Sequence, residues 1–319
     1  MSYRIKRLLI ISVAIIILAV AASEGTKYSP PENKTETRIS YPNIPDDINP
    51  SIIDESIGIK TTVSSKSSAP AASLVSAEAY LVKNLDTGKI YSERNTRSVF
   101  PIASITKLIT ALVALENIGP DKKITITQEM LDGGYGDAGH LVVGESLTVS
   151  ELTYPLLMES SNDVAEALAQ SYGYGAFLGK MNEFVSSLGM SATSFRDASG
   201  MSSGNVSSAN DLYILAKYLY TKKKPILDLS RTKVMALAST TEHGEHTFKT
   251  INPFSFDPNF VGGKTGRTNE AKESMISLFR YEQNGISYPV AIIVLRSDFV
   301  REIDSSTLFG QFLQKIKAY

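Results

Sequence analysis

The chain has 319 residues, 32 basic against 33 acidic side chains (formal net charge −1) and 43% hydrophobic residues. That composition suits one large or two modest globular domains and offers no electrostatic footprint for nucleic acid. Cysteine is absent, which excludes a disulfide framework, thiolate catalysis and a cysteine-ligated metal.

Arg4, Lys6 and Arg7 precede fifteen uncharged, mostly apolar residues, Leu8 to Ala22. As a helix these span roughly 22 Å at about 1.5 Å per residue, less than the hydrocarbon core of about 30 Å. Residues 1–22 therefore read as a signal peptide, with Ala19-Val20-Ala21 as the cleavage site, or as a short uncleaved anchor in the cytoplasmic membrane. Both readings place the remainder in the cell envelope, on the outer face of that membrane. Residues 23–75 hold six of the thirteen prolines and show no apolar periodicity. They are expected to be a disordered Ser/Thr/Pro-rich linker, spanning on the order of 40 Å.

The folded part, 76–319, is expected to begin with two strands, Ala77 to Asn84 and Lys89 to Glu93, joined at Asp86-Thr87-Gly88. A helix follows from Ser104. Leu108, Ile109, Leu112, Val113 and Leu115 give it a broad apolar face that ends near Ile118-Gly119-Pro120. Residues 133–144 read as a glycine-rich loop. Thr148-Val149-Ser150-Glu151 is a capping box ahead of Leu152, Leu156 and Leu157. Helices are predicted at about 163–171, 176–188 and 209–220. Strands then follow at about 259–265, 273–282 and 288–296, with Asn284-Gly285 as a hairpin turn. Ile303 to Ile316 closes the chain as an amphipathic helix. Strands at both ends with helices between them predict an α+β fold, one antiparallel sheet built from both termini with a helical insertion.

Three short motifs carry the chemistry. Ser104-Ile105-Thr106-Lys107 puts a hydroxyl and an amine one helical turn apart, so that the amine can take the hydroxyl proton. The backbone N–H groups of a helix start lie beside that serine. A second S-x-x-K, Ser230 to Lys233, lies in a polar stretch and is set aside. Ser160-Ser161-Asn162 falls between two helical patterns. Two further S-x-N matches, Ser203 to Asn205 and Ser208 to Asn210, sit where serine and asparagine ordinarily make turns and caps. Lys264-Thr265-Gly266 follows Lys107 by 157 residues. It is no phosphate loop, since position 258 is proline and a strand pattern follows it.

S-x-x-K, S-x-N and K-T-G in this order resemble the penicillin-recognising serine acyl-transfer enzymes. Residues 75–319 are similar to the low-molecular-weight penicillin-binding proteins, the serine D-Ala-D-Ala carboxypeptidases and endopeptidases. The likeness is carried by Pro101 to Lys107, Ser161 to Ala169, Met181 to Met190, Ala198 to Met201 and Asn205 to Leu212. The resemblance implies a β-lactamase/DD-peptidase-like fold, a five-stranded antiparallel sheet flanked by helices. It also implies Ser104 as nucleophile, Lys107 as its base and Ser160 as proton relay to the leaving amine. Asn162 would hold a substrate amide and Lys264 would set the field around Ser160. Thr265 and Thr268 would bind the terminal carboxylate, and Gly266 completes the motif. The Ser104 and Arg267 N–H groups would hold the oxyanion. Substrates would be peptidoglycan stem peptides, with β-lactams as covalent inhibitors and no cofactor.

Glu270 to Ser274 departs from the small or aromatic run usual after the K-T-G, so the rim there differs in shape and charge. Arg267 reads equally as a carboxylate partner or as a solvated strand-end charge. Glu242-His243-Gly244-Glu245-His246 lacks a zinc-helix spacing and is expected to be an exposed turn. Two further readings are a serine β-lactamase and a silent penicillin-fold binding protein. The first would require a loop glutamate, whereas Glu183 falls in a helical pattern.

Overall fold

The computed structural model describes residues 75–134, 138–298 and 300–317. The segments read as signal peptide or anchor and as linker lie outside them, apart from residue 75. Strands occupy Ala79–Asn84 (β1), Ile90–Arg94 (β2), Val99–Pro101 (β3), Lys123–Thr125 (β4), Ser146–Thr148 (β5) and Val206–Ser208 (β6). They continue with Val234–Leu237 (β7), His246–Lys249 (β8), Phe260–Thr268 (β9), Lys272–Gln283 (β10) and Ile286–Ser297 (β11). Helices are Lys107–Val113 (α1), Gln128–Gly134 (α2), Val149–Met158 (α3) and Asn162–Tyr172 (α4). Tyr174–Ser187 (α5), Ala209–Lys222 (α6), Lys224–Ser230 (α7) and Arg301–Lys317 (α8) complete the set.

One five-stranded sheet runs β2-β1-β11-β10-β9, antiparallel at each pairing. Strands from the two ends of the folded part thus meet at β1 and β11, as the sequence predicts. The β1–β2 turn is set by Asn84, whose side-chain oxygen accepts the N–H groups of Asp86 and Thr87. At the β10–β11 turn, Asn284 and Gly285 both take positive φ, 52° and 75°. That is the backbone a two-residue hairpin needs to match strand twist.

Alternation along β11 divides the core between the two faces of the sheet. Val290, Ile292 and Val294 pack with Tyr80 and Val82 beneath Leu308, Phe309 and Phe312 of α8. The Phe279 and Phe309 rings stack at 4.5 Å. Ala291, Ile293 and Leu295 face the other way, with Leu81, Ile276 and Leu278, toward the helical layer. At its centre lies α1, every residue of which is buried. A helix buried on all sides belongs inside a layer of other helices. The buried Asp304 carboxylate accepts both the N–H and the hydroxyl of Ser76, tying the start of the described fold to α8.

Three short strand pairs, β3–β6, β4–β5 and β7–β8, stand outside the sheet. Their four-residue or shorter runs left no periodic signal to read. The β3–β6 pair sets Pro101 opposite Val206, bringing the 194–205 connection against the segment that carries Ser104. Asn205, fully buried, locks that junction. Its oxygen accepts from the N–H groups of Arg196 and Asp197, and its nitrogen donates to Asp197 O and Thr106 Oγ1. Replacing it by alanine strands several buried donors and acceptors. Asn205→Ala is expected to lose about 2–4 kcal/mol of stability in denaturant unfolding. A loss below about 0.5 kcal/mol would show that the junction does not depend on it.

Candidate active site

Ser104 lies in a 3-10 turn, Ala103–Thr106, and the regular helix starts only at Lys107. The expected continuous helix from Ser104 is therefore corrected to a tight turn feeding α1, in which Ala103 takes a positive φ of 47°. The tighter turn still leaves serine and lysine adjacent, with Lys107 Nζ 2.9 Å from Ser104 Oγ. Two other acceptors surround the amine, Asn162 Oδ1 at 2.8 Å and the Ser199 carbonyl at 2.6 Å. A neutral amine has two N–H groups and one lone pair. With the N–H groups given to Asn162 and Ser199, the lone pair is left facing the Ser104 hydroxyl.

Lys107 is completely buried. Burial pushes its pKa from the ordinary 10.5 down to about 7, against the pull of the Asp197 carboxylate. A lowering of that size corresponds to about 5 kcal/mol in favour of the neutral amine. Asp197 does not touch the lysine. Its carboxylate accepts the N–H groups of Ser199, Gly200 and Ser202. In this way it holds the loop that presents the Ser199 carbonyl. Gly200, at φ +90°, lies so near Ala103 that a Cβ would stand 2.0 Å from the Ala103 oxygen. Only glycine lets this loop close on the Ser104 turn.

Ser160 sits between α3 and α4 with a positive φ of 65°. Its hydroxyl accepts from Lys264 Nζ at 2.8 Å, and the same amine donates to the Thr265 carbonyl at 3.1 Å. Lys264 is also buried; that burial, then the Lys107 and Arg301 cations, hold its pKa well below the usual lysine range. Ser161 caps α4 by accepting the Val164 N–H. Asn162 opens that helix with its oxygen committed to Lys107, which leaves its amide N–H₂ to donate elsewhere.

Lys264, Thr265 and Gly266 lie on β9, the edge strand of the sheet. A Cβ on Gly266 would meet the Ile102 oxygen at 2.6 Å and the Ser104 nitrogen at 3.2 Å. The glycine therefore allows the edge strand to run directly beside the Ser104 turn. Arg267 follows, half exposed, its Nε 3.1 Å from Glu273 on the neighbouring strand. Thr268 lies at the strand end, where its hydroxyl accepts the Ala271 N–H. The structure thus brings Ser104, Lys107, Ser160, Asn162, Lys264, Thr265 and Gly266 to one place, and sets Arg267 and Thr268 at its rim.

The remaining sequence matches have other duties. Ser230 is buried, donating to Leu227 O and accepting from Gly263 N. Lys233 lies over the Phe256 ring. Ser208 caps α6. Glu183 lies on α5, paired with Lys180. The expected exposed turn at Glu242 to His246 is corrected: His243 and His246 are both buried. His246 lies 2.9 Å from Glu145 and stacks on Phe248. A partner 101 residues away supplies that burial, so no local pattern shows it. Among the described residues, no group of three or more His, Asp or Glu could hold a metal ion. Asp197 and Arg301 are members of the site region that no motif flags, and Ser199 lies in the Ala198 to Met201 segment of the likeness without a role read for its carbonyl. Arg301 pairs with Glu273 from the start of α8 and is brought near Lys264 only by the fold.

A serine hydroxyl facing a neutral buried amine, and a second serine held by a second buried lysine on an edge strand, define a serine–lysine acyl-transfer hydrolase. Residues 64–296 match the D-alanyl-D-alanine carboxypeptidase family. The chain is 34% identical over 210 residues to a D-alanyl-D-alanine endopeptidase of Haemophilus influenzae, covering 64% of this chain and 71% of that protein. It is 31% identical over 250 residues to a D-alanyl-D-alanine endopeptidase of Pseudomonas aeruginosa, covering 75% and 79%. The crystal structure of the Streptomyces K15 DD-transpeptidase aligns at a TM-score of 0.67 and 26% identity, covering 75% of this chain and 98% of that one. The chain belongs to the D-alanyl-D-alanine carboxypeptidase family.

Lys107 accepts a proton only when neutral, so protonation below about pH 7 stops it. The rate of Ser104 acylation by a penicillin is expected to fall about tenfold per pH unit below 7 and to level off above it. Stopped-flow labelling from pH 5 to 10 checks this. A rate still climbing between pH 9 and 10 would mean an amine of ordinary basicity.

Proposed function

We propose that this protein is a serine D-Ala-D-Ala peptidase that cleaves peptidoglycan stem peptides through an acyl-enzyme. The observation that carries the reading is the Lys107 amine, buried and 2.9 Å from Ser104 Oγ, with its other two partners both acceptors. In the proposed reaction, Lys107 takes the Ser104 proton as Oγ bonds to the carbonyl carbon of the scissile D-Ala-D-Ala amide. The Ser104 and Arg267 N–H groups stabilise the oxyanion. Ser160, polarised by Lys264, passes a proton to the amine nitrogen as the carbon–nitrogen bond breaks. Lys107 supplies the replacement proton to Ser160. Water then attacks the ester, and Ser104 is regenerated.

Asn162, with its oxygen fixed by Lys107, donates its N–H₂ to a substrate carbonyl. Thr265 binds the terminal carboxylate beside the Lys264 amine. Thr268 acts less directly, since its hydroxyl already serves the β9–β10 turn. Arg267 is paired with Glu273, so its side chain shapes the rim while its backbone serves the oxyanion. A β-lactam presents a similar amide carbonyl, strained by its four-membered ring, and acylates Ser104. A peptidoglycan substrate places the enzyme in the cell envelope. The basic-then-apolar residues 4–22 support attachment to, or export across, the cytoplasmic membrane. Residues 23–75 then act as a tether for a catalytic domain over 76–319.

Ser104→Ala is expected to abolish labelling by a fluorescent penicillin and to lower D-Ala-D-Ala hydrolysis by at least about 10³-fold. Ser230→Ala should keep the label. Mass spectrometry of digested peptidoglycan should show released D-Ala or resolved cross-links. Labelling retained in Ser104→Ala, or peptidoglycan left intact by the unmodified protein, would contradict the assignment.

A further inference from the structure

Ser160 must aim a hydroxyl at the leaving amine, yet its backbone sits at φ +65°, a region serine rarely adopts. Such a conformation persists only where the surroundings over-determine it. The turn at the end of α3 supplies part of that constraint, because the Glu159 and Ser161 N–H groups both donate to the Pro155 carbonyl. The rest comes from the residue immediately before Ser160. Glu159 Oε2 accepts the Gly139 N–H at 3.0 Å, and Glu159 Oε1 accepts the Lys249 N–H at 3.0 Å.

Those two N–H groups belong to the segments that flank Ser160. Gly139, at φ +95°, packs so tightly that a Cβ there would lie 3.0 Å from Ser161 Oγ. On the other side, the chain leaving β8 returns to α3, where the Ile251 N–H donates to the Met158 carbonyl. The same two segments are fastened again at a distance from Ser160. The buried Glu145–His246 pair joins them at 2.9 Å, and the Ser146 N–H donates to the Glu242 carbonyl. Glu159 therefore sits where the 138–146 loop, the β8 strand and the Ser160 turn meet, with one carboxylate oxygen spent on each flanking segment.

We propose that Glu159 is a positioning residue for acyl transfer. Its carboxylate clamps the flanking backbones of Gly139 and Lys249 and so fixes the left-handed backbone of Ser160, keeping that hydroxyl aligned between Lys264 and the leaving group. The inference rests on the proposed role of Ser160 as proton relay. A glutamine at 159 keeps one acceptor oxygen but turns an N–H₂ group toward the other backbone N–H, so it restores half of the clamp. Alanine restores none.

The test compares substrates that do and do not need a proton at the leaving atom. An acyl-D-Ala-D-Ala amide releases an amine, which must be protonated. A matched thiolester releases a thiolate, which leaves without it. Single-turnover acylation is measured for Ser160→Ala, Glu159→Ala and Glu159→Gln with both substrates, alongside the melting temperature. Glu159→Ala is expected to slow amide acylation by about 30- to 100-fold, while thiolester acylation stays within about threefold and KM for the amide changes little. Glu159→Gln should fall between it and the unmodified enzyme, and it carries the same comparison if the alanine variant does not fold. Ser160→Ala should show the same split, more strongly. A split in Ser160→Ala without one in the Glu159 variants would overturn this inference alone. Equal loss with both substrates in the Glu159 variants would reduce the residue to a structural one and also overturn it. No split in Ser160→Ala would overturn the relay, and the inference with it.

Discussion

The whole arrangement depends on keeping one ammonium group out of water. Lys107 is enclosed on every side, with no carboxylate in contact to favour its charge. Burial penalises the charged form, so the group yields its proton near neutrality instead of near pH 10. The price of that burial is met by geometry, since both amine hydrogens find acceptors. Lys264, equally enclosed and close enough for the two cations to oppose each other, prevents both from being charged together at low cost. In the proposed reaction, serine and lysine thereby do what elsewhere requires histidine.

The fold supplies this environment from three directions. α1 brings the lysine into the centre of the helical layer, where Leu108, Ile109 and Leu112 exclude water. The α3–α4 junction supplies Ser160 and Asn162, and the sheet supplies β9 as an open edge. Two glycines control how closely these parts meet. Gly200 admits the Asp197–Ser202 loop to the Ser104 turn, and Gly266 admits the edge strand. A methyl group at either position would collide with backbone, not with a side chain able to move aside. Asn205 then locks the loop from behind, reaching Thr106 on the turn itself.

Much of this was legible in the sequence because it is local. The apolar runs of β1, β10 and β11, the Asn284-Gly285 turn and the Thr148–Glu151 capping box each encode their own structure within a few residues. The three motifs were legible because each keeps its reactive groups within one turn or one strand. What escaped was long-range. His246 is buried by Glu145 from a distant loop, and a local reading took it for an exposed turn. The Ser199 carbonyl, the Asp197 carboxylate and Arg301 enter the site only through tertiary contacts. Four-residue strands such as β7 and β8 pair by position, not by pattern. The 3-10 turn at Ser104 carries the same residues as an α-helix start, so composition alone does not separate them.

The central claim, that burial makes Lys107 a neutral base, is open to direct observation. Lysine side chains labelled at Cε and Nζ report protonation by NMR chemical shift, and Lys107→Arg assigns the resonance. The account predicts that the Lys107 signal titrates near pH 7 in the free enzyme. A Lys107 resonance that stays protonated to about pH 10, as an exposed lysine does, would contradict it.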